Sequence, residues 1–119
     1  MPFTTRVLLF FGGLSGAAGV TLAAAAYHGG NPVLQSAALI CLADGPALIG
    51  LAVLSERSRA ALASGILMIF GTALFAGDLV ANSYAGFGLF RMAAPVGGTA
   101  VIASWLLAAL TAFLPARNN

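Results

Sequence analysis

The chain has 119 residues, of which 61% are hydrophobic and only 7% charged. A soluble domain carries about a quarter charged residues, so this chain cannot cover a core against water, and an ordinary soluble enzyme is excluded. Asp44, Glu56 and Asp78 stand against Arg6, Arg57, Arg59, Arg91 and Arg117 for a formal charge of +2; without lysine or a basic run, no nucleic-acid partner is implied.

A helix needs roughly 20 mainly apolar residues to cross about 30 Å of hydrocarbon. Four such runs follow one another, at about 7–26, 33–54, 60–82 and 96–114. They predict an all-α integral membrane bundle of four transmembrane helices, a single membrane domain over residues 1–119 with no room for a domain outside the bilayer. Arg6, the apolar run and Ala23 to Ala26 mimic a signal peptide with its cleavage site, but a run of about 20 residues exceeds the usual signal core of roughly 7 to 15. The first run is therefore expected to remain as a span. Gly29, Gly30, Asn31 and Pro32 stop one helix and start the next. The charged turn 55–59 separates the second and third spans, and Pro95 precedes the fourth. The link 83–95 carries Tyr84, Phe87, Phe90 and Met92 beside Arg91, a composition suited to the headgroup level of a membrane. Arginines in short loops are retained in the cytoplasm. Arg6, Arg57, Arg59 and Arg117 fall on one side and only Arg91 on the other, so both termini are expected to be cytoplasmic.

Helices in lipid gain little by hiding apolar surface from one another, so small residues and a few polar contacts must hold them together. Each span carries such a seam: Gly12, Gly16, Gly19, Ala23 and Ala26; Ala37, Cys41, Asp44 and Ala47; Ser64, Gly71, Asp78 and Asn82; Gly97, Ala100, Ser104, Ala108 and Thr111. Gly12, Gly16, Gly19, Gly71 and Gly97 are the expected packing glycines. The alternative for Gly12 and Gly16 is a homodimer contact.

All the charged residues except Asp44 and Asp78 lie outside the spans, in the connections and the two tails. Asp44 sits near the middle of its span, two residues before Pro46, whose missing amide frees the carbonyl of Leu42. With no Lys, Arg or His at its depth, Asp44 is expected to be neutral and to donate to that carbonyl, unless it serves as a proton-carrying or cation-binding site, the default suspicion for an acid in a membrane. Asp78 lies about a turn from the other end of its span, on the side of His28 and Arg91. These three form a candidate outer-face cluster, as a structural ion pair or as an entry site for a small ion or solute. Trp105 is expected to pack or face lipid. One histidine and one distant cysteine make no metal site. Lone Cys41 allows no internal disulfide, and Ser15, Ser36, Ser64 and Ser104 have no basic partner in sequence for a nucleophile's role. No cofactor is implied.

Three stretches resemble one family. Gly16, Ala17, Gly19, Val20, Leu22 and Ala24 lead to His28 and Gly29; Gly71, Leu74, Phe75, Gly77 and Leu79 follow in the third span; Pro95, Gly97, Gly98 and Trp105 mark the fourth. From about Gly12 to Leu110 the chain resembles the small bacterial membrane proteins grouped as domain of unknown function 423, related to the eukaryotic transmembrane protein 256. Where that family's second helix usually carries a Tyr-Gln-Met-x-His stretch, Ile40, Cys41, Leu42, Ala43 and Asp44 stand here, an acid in place of the histidine. Asp78 and Ala76 replace serines. The resemblance implies four membrane helices and no particular activity.

The first functional expectation is a non-enzymatic, multi-pass protein of the bacterial inner membrane, an accessory or structural component that touches lipid and acts within a homodimer or a larger membrane complex. The alternative is a proton-coupled carrier or channel for a small solute that uses Asp44.

Overall fold

Proline and glycine set the ends of the helices. The computed structural model describes residues 1–115, so Arg117 and its share in the orientation argument lie outside the described residues. Helix α1 spans Phe3–Gly29, α2 Pro32–Ser55, α3 Arg59–Ala85 and α4 Ala93–Leu110, followed by a single 3-10 turn at Thr111–Phe113. Gly30 closes α1 in the left-handed region at φ 61°, with its amide bonded to the Ala26 carbonyl, a conformation that disfavours residues with a Cβ. One residue later the Asn31 side chain accepts from the amides of Val33 and Leu34, and Pro32 supplies the first residue of α2, where no amide is needed. Ser58 caps α3 in the same manner through the amide of Ala61.

All four helices are long and apolar enough to cross a membrane. The first three also run beyond the expected apolar runs at both ends. At 27 residues each, α1 and α3 extend about 40 Å, past the hydrocarbon and into the headgroup layer, because backbone hydrogen bonding continues where side chains turn polar. Several boundaries differ from expectation: α1 spans Phe3–Gly29 against an expected 7–26, and α4 ends at Leu110 against an expected 114. Helix α3 continues through Ala85 and stops at Gly86, at φ 83°, so the link shortens to 86–92. Pro95 lies inside the first turn of α4 rather than before it, at a position where its missing amide would be unpaired in any case.

Helices α2 and α3 form the centre: 44% and 39% of their apolar windows are buried, against 17% for α1 and for α4, which flank them. Glycines make both flanking contacts. A Cβ on Gly45 would lie 2.9 Å from the amide nitrogen of Gly16 and 3.0 Å from the carbonyl oxygen of Gly12, so the backbones of α1 and α2 touch there. Gly19 lies equally close to Leu42. On the other side, a Cβ on Gly97 would meet the Phe75 nitrogen at 2.5 Å and the Gly71 carbonyl oxygen at 2.9 Å, which brings α3 against α4.

Near the Arg57 end, α1, α2 and α3 converge on a core of Leu8, Leu48, Leu51, Ala52, Ala61 and Met68. Gly65 makes room there for the methyl groups of Leu8. Short polar links span the helices at three levels: Thr5 with Ser55 at 3.2 Å, Ser15 to the Cys41 carbonyl at 2.8 Å, and Ser64 to the Ser104 carbonyl at 2.7 Å. Phe10, Leu14, Val20, Leu39, Ile66, Phe70, Ile102 and Leu106 point outward, as suits a surface in lipid.

Candidate functional site

Asp44 and Gly45 are consecutive on α2 and therefore face about 100° apart. Gly45 meets α1, and Asp44 turns toward α3 and α4. Its carboxyl is completely buried. The Thr72 hydroxyl donates to Oδ2 at 2.6 Å, and the indole Nε1 of Trp105 donates to Oδ1 at 3.0 Å. One side chain on α2 thereby holds one on α3 and one on α4. Both donors are neutral, so the carboxyl group has hydrogen bonds but no countercharge from either.

This corrects the expected partner. Pro46 does stand inside α2, but the Asp44 carboxyl is engaged by Thr72 and Trp105 and not by the carbonyl of Leu42. The reason is directional, since Asp44 points at the junction of α3 and α4 and meets two donors there. Trp105 was missed as a donor because an indole in an apolar span reads as a lipid-facing residue. It is both: the residue is 45% exposed, while its N–H is turned inward to Asp44. The one available signal was general, that a tryptophan's N–H seeks an acceptor when it leaves water.

Asp78, His28 and Arg91 are not brought together among the described residues. Asp78 is half-buried, and its Oδ1 accepts from the backbone amide of Leu89 at 2.7 Å. The link folds back over the end of α3 so closely that Gly88 lies against the Asp78 carboxylate. Arg91 is exposed in the link. His28 is exposed in the last turn of α1, edge-on to the ring of Tyr27 with centroids 5.6 Å apart. Asp78 is thus a brace for the α3–α4 link.

Of the five packing glycines, Gly12, Gly19, Gly71 and Gly97 each meet a neighbouring helix within the chain. Gly16 takes part differently: its own missing side chain faces open space, while its backbone is what Gly45 touches. Gly45 and Gly65 are further close-contact glycines that the seams did not include. Ser36, Ser64 and Ser104 donate to carbonyls of Pro32, Ser104 and Val101, respectively, and Ser15 to that of Cys41. No cluster of three or more His, Cys, Asp or Glu able to hold a metal occurs among the described residues.

Fold and site together define an all-α bundle of four transmembrane helices built around one deep acid. A family model described as "Protein of unknown function (DUF423)" matches residues 15–98, and the chain belongs to that family. The match contains Asp44, Thr72 and Asp78 and stops short of Trp105. No curated protein and no solved structure matches the chain.

Proposed function

We propose that the protein is a non-catalytic, multi-pass component of the bacterial inner membrane, in which Asp44 joins helices rather than moves protons. One observation carries this reading: both carboxyl oxygens of the fully buried Asp44 are taken up by donors on two other helices. A carrier's acid must exchange its partners during each cycle, whereas this one closes the contact among α2, α3 and α4. The arginine distribution supports both termini in the cytoplasm. Short turns at 30–31 and 56–58 leave little outside the bilayer for chemistry, which favours an accessory role beside another membrane protein.

Reconstitution in vesicles under an imposed pH gradient tests the role of Asp44. Wild type and Asp44→Asn are expected to dissipate the gradient no faster than protein-free vesicles. Acceleration by wild type that Asp44→Asn abolishes would replace the reading with a proton-coupled carrier. Gentle extraction at native expression, followed by size analysis and mass spectrometry, is expected to recover a stoichiometric membrane partner. A clean homodimer or monomer would count against the accessory role.

A further inference from the structure

Helix α4 is shorter than α3, with 18 residues against 27, and its height along α3 is fixed by contact. Gly97 lies against the backbone of Gly71 and Phe75. In this antiparallel pair Ala93, about one turn earlier, therefore stands level with Gly77 and Asp78. Leu89 stands at the same level: its amide binds Asp78, and one of its methyl carbons lies 3.5 Å from where a Cβ on Gly77 would stand. Helix α3 itself continues past Asp78 for about 10 Å more before Gly86 ends it. The link thus turns back at Gly86, comes down beside α3 as far as Leu89, and stays at that height into α4.

That height is a depth in the membrane. From Arg59 to Asp78 α3 rises about 28 Å, and α4 from Ala93 to Leu110 is about 27 Å long. Both lengths match the roughly 30 Å of hydrocarbon in a bilayer. An arginine is costly inside that layer, which puts Arg59 at one boundary and residues 89–92 at the other. The side chains suit the place. Leu89, Phe90 and Met92 are each more than half exposed, and Val96, one turn further along α4, continues the exposed apolar surface down the span. Continuity with the lipid-facing side of α4 identifies what covers the stretch. Between Phe90 and Met92, Arg91 is exposed as well, and a guanidinium matches the geometry of a phosphate. We propose that residues 89–92 dock on the adjacent leaflet, with Phe90 and Met92 in its acyl region and the Arg91 guanidinium on the phosphate of a phospholipid.

Spin labelling of the full chain tests the docking. In a Cys41→Ser background, a nitroxide is attached at Phe87→Cys, Phe90→Cys or Met92→Cys, and the protein is reconstituted in phosphatidylcholine vesicles. Collisions with oxygen, which concentrates in lipid, are compared with those of a water-soluble nickel chelate. Labels at 90 and 92 are expected to favour oxygen, and the label at 87, on the descending part of the link, to favour the chelate. A preference for the chelate at 90 and 92 would overturn the proposal. Exclusion of both reagents there would do so too, since a second copy would then cover the stretch. Solid-state NMR of arginine-labelled protein in the same vesicles tests the phosphate. The guanidinium signal that Arg91→Gln removes is expected to be dephased by lipid phosphorus in wild type, and a signal that phosphorus leaves unchanged would overturn the phosphate contact.

Discussion

The indole Nε1 of Trp105 donates to Oδ1 of Asp44 at 3.0 Å, across 61 positions of sequence and between helices that are not consecutive. Together with Thr72 at 2.6 Å, it makes Asp44 the meeting point of α2, α3 and α4. Hydrogen bonds between membrane helices average about 0.6 kcal/mol and reach about 2 kcal/mol. Trp105→Phe and Thr72→Val are each expected to destabilise the bundle by an amount in that range. Asp44→Leu, which leaves both donors without an acceptor, is expected to cost more than either. Asp44→Asn keeps one accepting oxygen and should be milder than Asp44→Leu. Unfolding in detergent followed by circular dichroism checks the order, and equal stability throughout would show that these bonds do not hold the bundle.

The glycines divide into two groups whose substitution has opposite signs. Gly45→Ala drives a methyl group into the backbone of Gly12 and Gly16, and Gly97→Ala drives one into Phe75 and Gly71. Neither obstacle is a flexible side-chain end, so each substitution should destabilise by about 1–3 kcal/mol, as overpacking does. Gly13 has nothing within 4 Å of a Cβ. Gly13→Ala should therefore be neutral or stabilise by up to about 1 kcal/mol through helix propensity. Thermal midpoints of the three variants, measured in one detergent, decide the matter.

Asp78 braces the link through the amide of Leu89. Asp78→Ala is expected to speed hydrogen exchange at Leu89 and to expose 86–92 to proteolysis, at a cost of about 1 kcal/mol. Asp78→Asn retains an accepting oxygen and should preserve most of the protection. His28→Ala and Arg91→Ala should leave the thermal midpoint unchanged. A loss on either substitution equal to that of Asp78→Ala would restore the three-residue cluster.

Orientation is accessible to chemistry. In a Cys41→Ser background, Phe87→Cys in the link is expected to react with a membrane-impermeant maleimide on the periplasmic face, and Ser58→Cys in the α2–α3 turn only after the membrane is opened. The reverse pattern would place both termini outside the cytoplasm.

The spans, their number and the glycine seams were legible because they are repeated along the chain. Gly12, Gly19, Gly71 and Gly97 recur at helical spacing with other small residues, and the helix faces they mark do meet neighbours. Gly45 was obscured by Pro46, whose effect on the backbone is a sufficient reason for an irregularity at that point. The helix ends were less legible. A hydropathy window stops where lipid stops, whereas α3 continues for as long as its carbonyls find amides, up to the left-handed Gly86.

What the sequence determined by itself is that four segments belong in hydrocarbon, because transfer from water to lipid is a local property that sums over about 20 neighbouring residues. What only the tertiary structure decided is which side chains meet. The spacing left Asp44 with the Leu42 carbonyl as a local candidate and Asp78 with His28 and Arg91 as charged ones; the packed helices gave them Thr72, Trp105 and the Leu89 amide instead. Inside a bilayer, apolar burial does not choose among helix faces, so close contact at glycines and a few directed hydrogen bonds make that choice. Those contacts join residues remote in sequence, and no local pattern encodes their pairing.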